Sequence, residues 1–219
     1  MDGLENDGAG LPGPVSYDDL RAAPRFALLI RSAKLITESG EYLCIIRDVS
    51  ISGVRLKIFH PLPAVAQPLL ELSTGDRFLL DPVWEREGHA GFRFANPIDV
   101  HRFIAEASPY PKRALRLRME FPATLIVDGQ GHTITVRDFS RQGAKIESQL
   151  MLAISQKIKL EAKGMPGIVG NVCWRSTPAY GLSFQQTFTF EELALLAYHF
   201  QPVVPPPSGI TNHSPKRYA

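Results

Sequence analysis

The sequence predicts a mostly β protein, with two small antiparallel barrels in tandem and a short helix after each. Three observations carry this. First, one cluster of residues occurs twice, 90 positions apart: Arg47, Asp48, Ser50, Gly53, Trp84, Gly91 and Phe94 return as Arg137, Asp138, Ser140, Gly143, Trp174, Gly181 and Phe184. Small structural repeats have periods of about 20–50 residues, so a period this long means a duplicated domain. Second, both halves are filled by short apolar runs, several with period-two alternation, punctuated by Gly, Pro and Asp turns. Short strands at regular spacing close into small barrels. Third, each half ends in a segment of helical apolar spacing, able to cover an open barrel end.

The elements follow in order. Residues 1–16 are small, polar and turn-forming and read as a disordered N-terminus. The first barrel spans 17–107. A short basic segment leads to Arg25, and strands are expected at Phe26–Ile36, Tyr42–Val49, Val54–Ile58, Arg77–Trp84 and Gly91–Phe94. Residues 60–68 hold three prolines and read as a loop. Ile98–Ala107 has helical spacing, with Asp99 at its start. The second barrel spans 108–201 and includes a basic linker at 108–118. Its strands are expected at Met119–Val127, Thr133–Val136, Lys157–Leu160, Ile168–Trp174 and Tyr180–Phe184, with Asp128-Gly129 marking a hairpin. Phe190–Phe200 carries the best helix signal, with Thr189 as its cap and Glu191 and Glu192 in the first turn. Residues 202–219 hold five prolines and read as a disordered tail.

Composition narrows the function. The 219 residues carry a net charge of +2, too little to argue by itself for nucleic acid or a membrane surface. No apolar run reaches the roughly 18 residues of a spanning helix, so membrane insertion is not expected. The N-terminus lacks the basic and apolar regions of a signal peptide, which suits a cytoplasmic protein. Cys44 and Cys173 sit in apolar runs and read as buried free thiols rather than metal ligands. The six histidines are scattered without metal spacing. Ser50 and Ser140 lack a nucleophile elbow, and no histidine recurs with them, so no enzyme is expected. Trp84 and Trp174 could serve as stacking platforms, but inside strands of a small barrel a core role is the favoured reading.

The chemistry concentrates in the duplicated cluster. Asp48-x-Ser50-x-x-Gly53 and Asp138-x-Ser140-x-x-Gly143 each join two apolar strands. Asp and Ser side chains bond nearby amides in such turns, and Gly permits positive φ. Upstream lies a basic group: Arg21-x-x-x-Arg25 before the first barrel, and Lys112-Arg113-x-x-Arg116 before the second. The arginine-to-aspartate separations are 23 and 22 residues. Guanidinium forks can grip phosphate or the O6/N7 edge of guanine and stack on a base, while a carboxylate accepts from guanine N–H groups.

R-x-x-x-R, then D-x-S-x-x-G, then a Trp strand (Val83-Trp84, Cys173-Trp174) and a G-x-x-F strand (Gly91–Phe94, Gly181–Phe184) resemble the bacterial PilZ domain, over about residues 17–107 and 109–201. The resemblance implies six-stranded barrels and binding of the second messenger cyclic di-GMP, with no other cofactor and no metal. It implies ligand contacts from Arg21, Arg25, Asp48, Ser50 and Gly53, and a second site from Lys112, Arg113, Arg116, Asp138, Ser140 and Gly143. Lys112 stands where the pattern has its first arginine, and a lysine lacks the bidentate fork. The expected function is a cyclic di-GMP sensor that changes interdomain or N-terminal conformation to regulate an unidentified protein partner. Because the second basic group lies in the linker, ligand binding there is expected to stiffen it. The alternative is a protein–protein adaptor in which one or both barrels no longer bind ligand. The near-neutral charge argues against a nucleic-acid polymer as partner.

Overall fold

The computed structural model describes residues 24–63, 67–105 and 114–201, without the side chains of 28–30. The expectations for residues 1–23, including Arg21, for Lys112 and Arg113 in the linker, and for the tail 202–219 lie outside the described residues.

Two closed antiparallel barrels of six strands each make up the fold. Barrel 1 is built from β1 (Phe26–Thr37), β2 (Gly40–Val49), β3 (Gly53–Lys57), β4 (Leu69–Glu71), β5 (Arg77–Arg86) and β6 (His89–Phe94), in the order β1-β2-β3-β6-β5-β4. Barrel 2 repeats it with β7 (Arg116–Val127), β8 (Gln130–Ser140), β9 (Gly143–Glu147), β10 (Lys157–Ala162), β11 (Met165–Ser176) and β12 (Ala179–Phe184). Pairing of β1 with β4, and of β7 with β10, closes each sheet and leaves no free edge. The sequence signals two fewer strands. β4 is only three residues long, too short to show alternation, and follows Pro68; its ladder exists because closure demands it. β9 is likewise five residues.

β7 shows the expected pattern at its clearest. Leu117, Met119, Phe121, Ala123, Leu125 and Val127 point inward and the residues between them largely outward. The strand begins at Arg116, inside the segment read as linker, so Arg116 and Arg118 stand on the barrel's outer wall.

The helices close the barrels as expected. Helix α1 (Val100–Ala105) inserts Phe103 against Phe78 and Phe94, while Arg31 donates to the carbonyls of Phe103 and Ile104 at its C-terminal end. Asp99 accepts from the Arg102 amide at 3.1 Å. Helix α2 (Phe190–Phe200) starts in a full capping box between Thr189 and Glu192 and buries Leu193, Ala194, Leu196 and Ala197. The Thr189 bonds hold the Glu192 carboxyl below its ordinary pKa.

Helix α2 also joins the barrels. Tyr198 stacks on His60 of barrel 1, ring centroids 4.4 Å apart, and packs against the first core. In return Leu43 of β2 is buried in the second core, and Phe59 packs against it. Gln201 is clamped to the β1–β2 hairpin: its Nε2 donates to the Glu41 carbonyl at 2.6 Å, and its Oε1 accepts from the Glu41 amide. A Cβ on Gly40 would collide with that amide group. The Glu41 carboxylate accepts from the Arg118 amide at 2.8 Å. β2 is therefore covered on both faces, so Tyr42–Ile46 is an unbroken apolar run.

Candidate functional site

The register aligns the duplicated residues in one cross-strand row. In barrel 1, Asp48 on β2 pairs with Arg55 on β3, Arg55 with Gly91 on β6, and Gly91 with Trp84 on β5. In barrel 2, Asp138 pairs with Lys145, Lys145 with Gly181, and Gly181 with Trp174. Directly opposed residues share a face of the sheet. Three strand spacings make each row roughly 14 Å long.

At one end of the row stands the carboxylate. Asp48 is bracketed by two guanidinium groups, Arg55 at 2.6 Å and Arg25 at 3.5 Å. Both arginines remain open to solvent, 46% and 69% exposed. Asp138 is paired with Arg116 at 2.6 Å, and Lys145 occupies the place of Arg55. Exposed ion pairs of this kind contribute at most about 1 kcal/mol to stability, so their main consequence is a fixed, solvent-facing fork.

At the other end stands an indole. Trp84 and Trp174 are 37% and 39% exposed, which corrects their assignment to the core. Each lies flat against the outer wall because its partner is glycine. A Cβ on Gly91 would sit 2.1 Å from the Trp84 Nε1, and one on Gly181 2.0 Å from the Trp174 Nε1. Arg86 lies 5.2 Å from the Trp84 ring centroid. Sequence reasoning did not single out Arg55, and it favoured the core over the stacking role for both tryptophans. The signal was present: a Trp and a Gly kept in step in both halves, and a basic residue two places after each motif glycine.

The turn joining the first two strands of the row is built from the remaining motif residues. The Ser50 hydroxyl accepts from the Gly53 amide at 3.1 Å and donates to the Gly53 carbonyl at 3.3 Å. Ser140 donates to the Gly143 carbonyl at 3.0 Å. Both serines are buried. Neither motif glycine has positive φ. Their requirement is close approach: a Cβ on Gly53 would meet the Phe92 carbonyl oxygen at 2.9 Å, and one on Gly143 the Leu182 oxygen at 2.2 Å. These residues shape the turn that presents Asp48 and Asp138.

The one-residue difference in arginine spacing has a structural origin. Four steps along β1, from Ala27 to Arg31, match two along β2, whereas three along β7, from Arg118 to Phe121, match two along β8. The larger irregularity in β1 absorbs the extra residue, and both arginines end beside their aspartates.

Of the two cysteines, Cys44 meets the expectation of a buried free thiol and Cys173 does not. Cys44 is buried, and burial pushes its thiol up to about 12. Cys173 is exposed, its Sγ 3.2 Å from the Gly181 carbonyl oxygen. Among the described residues no group of three or more His, Cys, Asp or Glu side chains could hold a metal ion. None of the described helices is long and apolar enough to cross a membrane.

No family model matches the sequence, and no curated protein matches it. Solved structures do. The Borreliella burgdorferi PlzA protein in complex with c-di-GMP is similar at 13% identity, over 84% of this chain and 95% of that chain, with a TM-score of 0.34. The MrkH–c-di-GMP complex of K. pneumonia is similar at 14% identity, over 83% and 90%, with a TM-score of 0.32. The Bacillus subtilis inhibitor of motility MotI/DgrA is similar at 12% identity, over 78% and 95%, with a TM-score of 0.32. A ligand for this chain must be argued from its own residues.

Proposed function

We propose that this chain is a tandem PilZ-type receptor for cyclic di-GMP, with barrel 1 as the principal site and no catalytic step. The carrying observation is the row Asp48–Arg55–Gly91–Trp84, in which a buried, doubly bracketed carboxylate and an open indole share one wall. Guanine chemistry suits each end of the row, a separate base for each because the ends lie roughly 14 Å apart. The guanine face stacks on an indole, a sequence-tolerant contact that contributes about 1–3 kcal/mol per base. Its N–H groups donate to a carboxylate, and its O6 and N7 accept from an arginine fork. Arg25, with Arg21 four residues earlier, supplies charge for the phosphates. Ser50 and Gly53 act by holding Asp48 in place. Barrel 2 keeps Arg116, Asp138, Ser140, Gly143 and Trp174, but has Lys145 and Lys112 where barrel 1 has Arg55 and Arg21, and is the weaker site.

The first basic group precedes β1, and the second runs from the linker into Arg116 at the start of β7. Ligand binding therefore orders the approach to barrel 1 and the joint between barrels, and a protein partner reads that change in a bacterial cytoplasm. Isothermal titration with cyclic di-GMP tests the reading: saturable heat that Arg25→Ala removes supports it, and no heat with the intact chain rejects it. Binding instead to a random oligonucleotide, weakening steeply with salt, would favour a nucleic-acid protein.

A further inference from the structure

We propose that Arg118 is a further ligand-contacting residue of barrel 2, and that Glu41 of barrel 1 regulates it by competing with a phosphate of the dinucleotide for its guanidinium. The inference rests on the reading of barrel 2 as a cyclic di-GMP site. It adds to that reading a residue on β7 and a carboxylate from the other barrel.

The register places Arg118 in the site. On β7 it directly opposes Asp138 of β8, so the two share the outer face. Barrel 1 has Ala27 in that place, opposite Asp48. The order across three strands is therefore Ala27–Asp48–Arg55 in barrel 1 and Arg118–Asp138–Lys145 in barrel 2. The arginine directly opposed to the carboxylate has changed flank. Arg116, two residues earlier on the same face of β7, already lies 2.6 Å from Asp138. Two strand residues span about 7 Å, so the guanidinium groups of Arg116 and Arg118 can hold one phosphate between them.

Barrel 1 reaches this arginine through the β1–β2 hairpin. The Glu41 Oε2 accepts from the Arg118 amide, and its Oε1 lies 3.9 Å from the Arg118 Nε. The two partners are held very differently. The Glu41 side chain is 12% exposed, its Oε2 also accepts from Lys34 Nζ at 3.3 Å, and Gln201 binds both its amide and its carbonyl. The Arg118 side chain is 84% exposed. The acid is fixed, then, and the guanidinium can turn away from it. A long ion pair with so exposed a partner contributes little, whereas arginine meets a phosphate through a bidentate, charge-assisted fork. The phosphate therefore takes the guanidinium, at an affinity lowered by the lost attraction to Glu41. By reciprocity, a ligand in barrel 2 weakens the charge contact between β7 and the hairpin. The amide bond to Glu41 persists, so the barrels stay joined while that contact is released.

Trp174, at the far end of the same row, reports on barrel 2 once Trp84→Phe makes it the sole tryptophan. Its fluorescence is titrated with cyclic di-GMP in the full chain. Arg118→Ala should raise the half-saturating concentration about tenfold, as for a lost contact to a charged group. Glu41→Gln keeps an oxygen for the Arg118 amide but removes the charge, and should lower that concentration about threefold. In the Arg118→Ala background the same change should have no effect. That dependence separates competition for the guanidinium from a general loosening of the joint, and circular dichroism verifies that each variant is folded. An unchanged midpoint in Arg118→Ala, or an equal effect of Glu41→Gln in both backgrounds, would overturn the inference. Calorimetric binding to the intact chain with no Trp174 response would overturn it too, leaving barrel 1 as the receptor. No binding heat at all would reject the receptor reading itself, and the inference with it.

Discussion

The two barrels share a fold, a turn and an indole, but their carboxylates are held differently. Asp48 lies between Arg25 and Arg55 with its side chain 12% exposed, whereas Asp138 has Arg116 at 2.6 Å and faces Lys145, with its side chain 25% exposed. What was kept in both copies is what the barrel needs: the serine that closes the turn, and the glycines that admit a backbone or an indole. What differs on the described wall, between aspartate and tryptophan, is the basic residue across from the aspartate, Arg55 in barrel 1 and Lys145 in barrel 2. The arginine leading into the first strand stands in both copies, as Arg25 and Arg116, whereas the arginine across from the aspartate on that side stands only in barrel 1, as Arg55.

The comparison breaks or sharpens at four points. The largest effect is expected for Asp48→Asn, which leaves two guanidinium groups without their anion. Cyclic di-GMP affinity should fall about 100-fold, near 2.7 kcal/mol, as for a lost charge-assisted hydrogen bond. Asp138→Asn should cost the chain less than about tenfold in titration calorimetry, and equal losses would abolish the ranking of sites. Next come the motif glycines. Gly143→Ala, meeting a backbone oxygen at 2.2 Å, should destabilise more than Gly53→Ala at 2.9 Å. By urea unfolding the costs should be about 2–3 and about 1 kcal/mol, as for local strain that the surroundings cannot relieve. Equal values would mean that barrel 2 yields more easily than its geometry indicates.

Third, Lys145→Arg restores the fork beside Asp138 and should tighten the second site about tenfold, near 1.4 kcal/mol. No change would place the deficit of barrel 2 elsewhere, at Lys112. The smallest effect concerns the joint. Burial holds the His60 pKa below its ordinary value, a bond to the Pro61 carbonyl opposing this in part, and its buried Nε2 has no hydrogen-bond partner among the described residues. Its near neighbours are the uncharged rings of Tyr42 and Tyr198. The unfolded chain therefore binds the proton more tightly, so stability is present above the unfolded pKa and is lost as pH falls through it toward the folded one. Between about pH 7.5 and about pH 5.5 the melting midpoint should fall more for the wild type than for His60→Phe; parallel curves would remove His60 from the pH response.

Much of this was legible in the sequence, in graded fashion. The Phe190–Phe200 helix and its Thr189 cap match to the residue, since capping and apolar spacing are written within one short segment. The Asp-Ser-Gly turn was equally local, although its glycine proved necessary for close approach rather than for positive φ. β4 escaped because three residues carry no period. The tryptophans were misassigned because an indole in a strand looks alike whether it faces in or out. Spacing and the motif pattern pointed to Arg25 and Arg116, and the structure sets both beside their aspartates, while the place of Arg55 needed the β2–β3 register to be seen.

By itself the sequence determined duplication, two barrels, the turn chemistry and the two capping helices, because each is set by residues near one another in the chain. The tertiary structure decided which strand faces meet water. Barrel closure carries Trp84 and Asp48 from distant strands to one outer wall. Packing of α2 against β2 buries both faces of a single strand, and so makes one molecule of two domains. Such choices depend on contacts between residues far apart in sequence, which no local pattern records.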